Sequence, residues 1–433
     1  MNQKMLEYSP DLVIVGGGLA GLTAALSAVE LNCRPVVLEA GEVVGGTTLV
    51  SGGVFNSYDP ERQIAVDIED SPEKHLHQLI EAGRGKSDRT LAKTLCYEAF
   101  SALKWLEYLG LAFEVRIRQA PGAPYPRSHY PADGAGGGAY IRLLSNELVQ
   151  RGVALLTRCR VVDLMREGAE GGVNGVRFVH DGKSHSLTGS RGVVLASGGF
   201  CSNPTLVGLH CPPASELASA CAPNCDGLMM LKAADCGAAL TQMSYFVWDY
   251  PDEAAGRNSW LKLLSNAATY VLVDDRGRRF VREDIHRSDQ IEAFLMTPGK
   301  RGWMVASERC FPTEGRAQAL PFDQEALAET LWRYDAFVQA GRDKDFGKNP
   351  RLLKPIAPPW RCRELKPKLF TSLGGVRIDE KARVIDRYGH PIPGLSAAGD
   401  VVGGIHGEWA SRGDCIASAV VFGRRAARSL CQT

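Results

Sequence analysis

The stretch DLVIVGGGLAG at residues 11–21 carries the strongest fold signal in the chain. Its first five residues form a short, β-branched, apolar run that predicts a buried parallel strand. Residues 22–31 are rich in Ala and Leu and predict a helix, and residues 35–39 (PVVLE) predict a second strand that ends in an acid. A Gly-x-Gly-x-x-Gly motif between strand and helix, followed by this strand and acid, predicts a dinucleotide-binding unit.

Each residue type in this motif has its own predicted role. Gly16 permits the tight turn, Gly18 lets a pyrophosphate approach the backbone, and Gly21 lets helix and strand pack closely. The N-terminus of the helix offers N–H groups and a partial positive charge to that pyrophosphate. Glu39 ends the second strand and is expected to accept hydrogen bonds from the ribose hydroxyls of the adenosine.

Further glycine segments favour FAD over a nicotinamide cofactor. Residues 45–53 read GGTTLVSGG, and residues 391–400, far along the chain, read PIPGLSAAGD. The second segment predicts a turn and a short strand that bring Asp400 to the ribitol and pyrophosphate of an extended FAD. Residues 193–200 (VVLASGGF) predict a buried strand that ends in a glycine pair.

Taken together, these motifs resemble the fumarate reductase, succinate dehydrogenase and 3-ketosteroid dehydrogenase superfamily of flavoproteins, and in pattern most closely its tricarballylate dehydrogenase-like members. Residues 226–240, 371–378 and 421–426 add to the resemblance. It implies an α/β fold with a discontinuous, Rossmann-like FAD-binding domain of the glutathione-reductase type and an inserted α+β capping domain. The predicted FAD-binding domain comprises residues 1–240 and 355–433, and the predicted capping domain comprises residues 241–354.

The resemblance also implies how FAD is held. Backbone N–H groups of residues 51–53 would face the flavin N5/O4 edge, and the helix starting near Asp414, its expected N-cap, would point at the N1/O2 edge. Gly46 stands where succinate dehydrogenases carry their flavin-linking His, so the FAD is expected to be noncovalent. The predicted cofactor-binding residues are Gly16, Gly18, Leu19, Ala20, Gly21, Glu39, Ala40, Gly45, Gly46, Thr47, Thr48, Ser51, Gly52, Gly53, Val161, Ser197, Gly198, Gly199, Asp226, Gly399, Asp400, Asp414, Cys415 and Ile416.

The segments around the reacting site depart from the fumarate reductase pattern. Hydride transfer at a carbon–carbon bond needs a proton donor or acceptor and a group that polarises the substrate. Lys368, Leu369 and Phe370 precede Thr371, where the pattern has its His, and Ala410 occupies the position of its Arg. The predicted catalytic residues are Glu283, Arg287, Arg309, His406 and Arg412.

Each of these candidates has a competing structural interpretation. Glu283 and Arg287 would pair on one helix face in a proton-delivery chain, or form a solvated surface salt bridge. Arg309 would be the cap arginine nearest the substrate, or an exposed Arg. His406 would donate to a substrate carboxylate, or pack its backbone against the isoalloxazine. Arg412 would bind a substrate anion, or form a structural ion pair with a neighbouring acid.

Composition restricts the class of protein. The chain has 433 residues and a formal net charge of +1, which argues against a nucleic-acid partner held by bulk electrostatics. No apolar run reaches the roughly 18 residues of a membrane span, and the first residues lack the order of a signal peptide. The twelve cysteines are expected to be reduced thiols in a cytoplasmic protein. The spacing of Cys221 and Cys225 is not that of a zinc site, and no metal is predicted.

The sequence thus predicts an FAD-dependent oxidoreductase that transfers a hydride at a carbon–carbon bond next to an electron-withdrawing group of a small substrate, for which an anion fits. The chain has neither a haem-attachment motif nor a second nucleotide fingerprint, so the other electron carrier is expected to be an external protein, a quinone or a small acceptor. Two alternatives stay open: a flavin monooxygenase or amine oxidase on the same scaffold, and a non-catalytic flavin-binding protein.

Overall fold

The computed structural model describes residues 9–119, 125–168, 171–250, 263–264, 266–311, 321–322, 324–411 and 413–432. Its helices are α1 (Leu19–Glu30), α2 (Gly46–Leu49), α3 (Pro60–Ile64), α4 (Pro72–Ala82), α5 (Arg89–Tyr108), α6 (Gly137–Gln150), α7 (Pro204–His210), α8 (Leu228–Asp235), α9 (Arg287–Leu295), α10 (Gln324–Ala340) and α11 (Asp414–Cys431). Among the helices described, none is long and apolar enough to cross a membrane.

The strands are β1 (Leu12–Val15), β2 (Pro35–Leu38), β3 (Phe55–Asn56), β4 (Ser128–His129), β5 (Ala154–Leu156), β6 (Arg160–Arg166), β7 (Val173–His180), β8 (Lys183–Thr188), β9 (Gly192–Leu195), β10 (Leu240–Thr241), β11 (Phe246–Asp249), β12 (Tyr270–Val273), β13 (Gly302–Ser307), β14 (Trp360–Leu365), β15 (Lys368–Ser372), β16 (Gly375–Val376), β17 (Arg383–Ile385) and β18 (Pro391–Ala397).

The chain divides into two compact units. The first comprises residues 1–215, 221–247 and 371–433, and the second comprises residues 216–220 and 248–370. The unit boundaries that correspond to the predicted domain limits lie at 247/248 and 370/371. The sequence-based limits lie after residues 240 and 354. Those limits remain a prediction.

A six-stranded sheet forms the centre of the first unit. Its strand order is β17-β18-β9-β1-β2-β5, and all neighbours are parallel except β17 and β18. Strands β1, β2 and β9 are buried along their whole length, as the apolar runs at 12–15 and 193–195 predict. Helix α1 packs against α11 and α6. This parallel α/β sheet agrees with the predicted fold class.

The second unit is built on the antiparallel sheet β12-β13-β14. Helix α10 packs on this sheet and buries Leu327, Leu331 and Tyr334 against Val271 and Trp303. A turn follows β12, because the backbone N–H of Asp274 donates to the carbonyl of Arg278 over 2.9 Å. Residues 355–359 also lie within this unit.

Candidate functional site

A cavity lies at the carboxyl ends of β1 and β2 in the first unit, the edge at which parallel α/β sheets bind ligands. Six of the predicted cofactor residues line it: Gly16, Glu39, Ala40, Val161, Ser197 and Asp226. Cys159, Arg160 and Asn224 also line it, and the sequence did not indicate them. Arg160 forms an ion pair with Asp226 across the cavity wall. The cavity therefore brings together segments that lie up to about 210 residues apart in sequence.

The glycine loop has the geometry that a phosphate cradle needs. Gly16 has φ +105°, and a Cβ on it would lie 2.3 Å from the carbonyl oxygen of Ala196. A Cβ on Gly21 would lie 2.0 Å from the carbonyl oxygen of Gly16, so only glycine lets α1 approach the loop this closely. Gly18 forms a parallel bridge with Gly45, which joins the first two glycine segments. Gly18 is the N-cap of α1, and no side-chain cap bond is formed at the first turn, which contains Leu19 and Ala20.

Glu39 is buried behind this loop; one of its oxygens binds the loop and the other binds the residues that follow β2. The backbone N–H of Gly17 donates to Oε2 over 2.8 Å, and that of Gly41 donates to Oε1 over 2.6 Å. A carboxylate oxygen has a second lone pair, so these bonds leave acceptor capacity for a ribose hydroxyl. The structure thus gives Glu39 a further role, which is to hold the loop itself.

The segments after β9 and β18 meet beside the start of α1. A Cβ on Gly399 would lie 2.9 Å from the Cβ of Ala20, and one on Gly199 would lie 3.3 Å from the carbonyl oxygen of Asp400. Gly198 has a φ of +77°. Burial raises the pKa of Asp400, although a hydrogen bond from Thr371 opposes the shift. Gly399 therefore lies against the start of α1, and Gly199 lies beside Asp400.

Residues 45–53 form α2 and the loop after it. The Thr47 hydroxyl lies 3.4 Å from the Cys225 thiol and accepts the backbone N–H of Ala222 over 3.1 Å. The Ser51 hydroxyl donates to the carbonyl of Thr48 over 2.8 Å, and the backbone N–H of Gly53 donates to that hydroxyl over 3.2 Å. Gly46 opens α2, and Gly52 has nothing within 4 Å of an added Cβ. Thr47 and Ser51 therefore fix the loop through hydrogen bonds, and the space next to Gly52 is open.

The start of α11 adjoins that loop. The backbone N–H of Asn56, three residues beyond Gly53, donates to the carbonyl of Gly413 over 3.3 Å. The Asn56 side-chain amide donates to Asp414 Oδ1 over 3.0 Å. The expectation that Asp414 caps the helix is wrong: Gly413 is the N-cap, without a side-chain cap bond, and Asp414 is the first helical residue.

Cys415 and Ile416 follow on the first turn of α11, and both are partly buried. Burial raises the pKa of the Cys415 thiol far above its usual value, and the carboxylates of Asp400 and Asp414 raise it further. Cys415 is therefore a neutral thiol rather than the thiolate that a helix start favours.

Glu283 lies in a buried ion network of the second unit. Arg279 Nη2 lies 3.0 Å from Glu283 Oε2 and 3.0 Å from Asp343 Oδ2. Lys348 Nζ lies 3.0 Å from the same Glu283 oxygen. Because Glu283 is buried and precedes α9, both expectations for it are wrong: it does not share a helix face with Arg287, and it does not form a solvated salt bridge.

The other catalytic candidates occupy different environments. Arg287 is the first residue of α9, but its side chain lies outside the described residues, as does the whole of Arg412. Arg309 is exposed in the second unit and lines a cavity of about 340 Å³ together with Pro358 and Pro359. His406 is buried in the first unit, and burial lowers its pKa to about 4.

The arrangement in the first unit fits an extended dinucleotide with a flavin. Residues 11–416 match the FAD binding domain family. The chain belongs to this family. Its cofactor is FAD, and the protein is an FAD-dependent oxidoreductase, as the sequence predicts. Within the described part of the chain, no group of three or more His, Cys, Asp or Glu residues is placed to hold a metal ion.

Comparisons over the full chain agree with this family. The chain is 28% identical over 450 residues to the probable fumarate reductase Ifc3 of Shewanella frigidimarina (strain NCIMB 400), covering 98% of this chain and 75% of that protein. A flavocytochrome c3 fumarate reductase in its open conformation has a TM-score of 0.84 and 25% identity, covering 100% of this chain and 81% of that one. The 3-ketosteroid-Δ4-(5α)-dehydrogenase of Rhodococcus jostii RHA1, in complex with 4-androstene-3,17-dione, has a TM-score of 0.82 and 24% identity, covering 99% and 98%. The predicted superfamily and fold class are confirmed.

Proposed function

We propose that this oxidoreductase transfers a hydride between flavin N5 and a carbon–carbon bond next to an electron-withdrawing group of a small anionic substrate. The observation that carries the proposal is the similarity, over nearly the whole of this chain, to fumarate reductases, whose substrate is a small unsaturated dianion. Bound FAD supplies the atom that accepts or donates the hydride. The chain's own residues then bind the cofactor, orient the substrate and move one proton.

The residues that hold FAD would act in two groups. At the adenosine end, the cavity residues with Glu39 and the glycine loop bind ribose and pyrophosphate. At the flavin end, residues 45–53 and the first turn of α11 surround the ring, and Asp400 faces the ribitol and pyrophosphate between the two ends. Gly46, Thr47 and Thr48 cannot form a histidyl link to a flavin, which supports noncovalent binding.

The substrate would be held differently from fumarate in a fumarate reductase. The residues before Thr371 include no His, and Ala410 cannot donate the hydrogen bonds of the Arg that the resemblance implies at its position. His406, Arg287, Arg309 and Arg412 remain the candidates for binding a carboxylate or transferring the proton. Because burial lowers the pKa of His406 to about 4, it would act near neutral pH as a neutral hydrogen-bond donor. The buried network around Glu283 supports a positioning role for that residue, because its carboxylate is already bonded to Arg279 and Lys348.

The second electron carrier would be external, as a partner protein, a quinone or a small acceptor. We expect the protein to work in a reducing compartment such as the cytoplasm. All twelve cysteines are thiols, which fits that compartment.

An anaerobic screen tests the proposal in both directions. The holoprotein is reduced with dithionite, mixed with unsaturated acids, enones or N-heterocycles, and followed at the flavin absorbance band. The oxidised holoprotein is mixed with the saturated counterparts. We expect one unsaturated compound to reoxidise the reduced flavin, and its saturated counterpart to bleach the oxidised flavin. In a parallel aerobic run, oxygen consumption with a hydroxylated product would instead identify a monooxygenase. No response to any compound in either run would favour a non-catalytic flavin-binding protein.

A further inference from the structure

Two thiols of the first unit are hydrogen-bonded to each other beside the glycine segments. They belong to Cys201, which follows β9, and to Cys221. The chain segments that carry them run side by side, because Ser202 donates its backbone N–H to the carbonyl of Cys225 over 2.9 Å and its hydroxyl to the carbonyl of Ala222 over 3.0 Å. We call Cys201 and Cys221 the dithiol pair.

The two thiols of the dithiol pair differ in exposure. Cys201 is 4% exposed, whereas Cys221 is half-buried. Burial raises the pKa of the Cys201 thiol far above its usual value, and the hydrogen bond with Cys221 raises it further. An oxidant from solvent therefore reaches Cys221 first, and Cys201 is in place to react with the product. An accessible thiol next to a second thiol is the arrangement of redox-sensing cysteines.

The loop at residues 221–225 connects the dithiol pair to the cofactor-binding segments. The backbone N–H of Ala222 donates to the hydroxyl of Thr47, on α2, over 3.1 Å. At the other end of the loop, the Cys225 thiol lies 3.4 Å from that hydroxyl. Asn224 lines the cavity at the ends of β1 and β2. A displacement of this loop therefore alters both the cavity wall and its contact with α2.

We infer that Cys201 and Cys221 form a reversible disulfide when the protein is exposed to a peroxide, and that this bond weakens the binding of FAD. The Cys221 sulfur attacks the O–O bond of hydrogen peroxide, which gives a sulfenic acid and releases one water. The Cys201 sulfur then displaces the sulfenic oxygen, and its proton leaves with that oxygen as a second water. Two thiols are thereby oxidised by two electrons, and one peroxide is reduced to two waters. A small dithiol such as dithiothreitol reverses the reaction by thiol–disulfide exchange.

Closing the disulfide should displace the loop rather than Cys201. The two sulfurs of a disulfide lie about 2.05 Å apart, closer than the atoms of a hydrogen bond. Cys201 adjoins the fully buried Phe200, so the half-buried segment at Ala222 moves instead. The bond from Ala222 to Thr47 is then lost, and the loss of one hydrogen bond raises the Kd for FAD roughly two- to tenfold. This effect rests on the placement of FAD in the proposed function, whereas formation of the disulfide does not.

The test begins with peptide mapping of the holoprotein. The protein is treated with hydrogen peroxide, denatured, alkylated and digested with trypsin and a glutamate-specific protease. Cleavage after Arg191, Glu216 and Lys232 places the two cysteines of the dithiol pair on separate peptides. We expect these peptides to be joined after peroxide treatment and to be separated again by dithiothreitol. Release of FAD on dilution, measured by ultrafiltration and flavin absorbance, should show the rise in Kd in the oxidised protein and its reversal.

Variants separate the dithiol pair from the other thiols. Cys221→Ser removes the accessible thiol and keeps a small polar side chain, so peroxide should neither join the peptides nor change the Kd for FAD. Cys236→Ser is the matched control, because Cys236 is also half-buried and the charged groups that act on its thiol include no cysteine. This control should respond to peroxide as the wild type does.

Three results would overturn the inference: separate peptides in the peroxide-treated wild type, joined peptides in Cys221→Ser, or an unchanged Kd for FAD after oxidation. The test needs no substrate. Failure of the substrate screen would therefore refute the proposed reaction and leave this result unaffected.

Discussion

Glu39 Oε2 accepts the backbone N–H of Gly17 over 2.8 Å, inside the glycine loop that begins the fold. Its other oxygen accepts the backbone N–H of Gly41 over 2.6 Å. An acid that the motif assigns to the cofactor ribose thus also fixes the conformation of the loop that receives the pyrophosphate. Loop geometry therefore depends on Glu39, and we expect cofactor affinity to depend on the same side chain.

Replacing Glu39 should weaken FAD binding more than the loss of a ribose contact alone. Each hydrogen bond to the carboxylate contributes about 1.5–3 kcal/mol, so Glu39→Ala should raise the Kd for FAD by at least about tenfold. The measurement is titration of the apoprotein with FAD, followed by flavin fluorescence. Glu42→Ala is the control, because that side chain is 78% exposed and pairs only with Arg158 in the salt bridges described. Equal affinities in the two variants would show that Glu39 does not organise the loop.

The ion network around Glu283 should support the stability of the second unit. Glu283→Ala leaves Lys348 buried beside Tyr334, with no carboxylate within salt-bridge distance among its described partners. Removing one partner of a buried pair costs about 3–5 kcal/mol. We expect a loss of that size in the free energy of unfolding by urea, with the flavin content of the folded protein unchanged. Arg333→Ala, whose exposed pair with Asp345 should contribute below about 1 kcal/mol, is the control. A small loss of unfolding free energy in Glu283→Ala, together with a loss of turnover, would instead support a direct catalytic role for Glu283.

His406 should make the protein less stable in acid. Burial lowers its pKa from 6.5 to about 4, so the unfolded chain binds a proton at a pH where the folded protein does not. Its contribution is complete above the unfolded pKa and falls as the pH decreases towards the folded pKa, by about 3 kcal/mol in all. The difference in the free energy of unfolding between the wild type and His406→Gln should therefore change between pH 6.5 and about pH 4. His390→Gln is the control, because that side chain is 79% exposed, and it should show no such change. If the difference in unfolding free energy for His406→Gln did not vary with pH, the folded protein would accept the proton.

The predicted catalytic residues can be separated from the scaffold by turnover. Among Arg287→Ala, Arg309→Ala and His406→Ala, at least one should lower turnover by roughly a hundredfold while FAD stays bound, as the loss of a proton-transfer group does. Arg351→Ala, at an exposed residue, is the control. Normal turnover in all three variants would refute this assignment.

The sequence predicted the parts of the fold that depend on local pattern. The run at residues 11–39 predicted β1, α1 and β2, because apolar periodicity and glycine spacing specify such units without distant contacts. The Ala- and Val-rich C-terminal segment similarly predicted α11. The cavity residues Gly16, Glu39 and Asp226 were predicted together only because the resemblance joined segments that are far apart in the chain.

The sequence did not reveal contacts between polar residues that are distant in the chain. The partners of Glu283 include Lys348, 65 residues away, and spacing suggested Arg287 instead. Asp414 was expected to cap its helix, but its oxygen is bonded by Asn56 and His75, more than 330 residues away. Local spacing carries no information about such pairs, because burial and the fold select them.

The most direct test of the central claim is transfer of label from reduced flavin to substrate. Holoprotein reduced with dithionite in D2O, so that flavin N5 carries deuterium, is mixed anaerobically in D2O with the unsaturated acid that reoxidises it. We predict a saturated acid that carries deuterium at both carbons of the former double bond, one from N5 and one from the proton donor, with one flavin reoxidised per product. Reoxidation without a reduced carbon–carbon bond would contradict it.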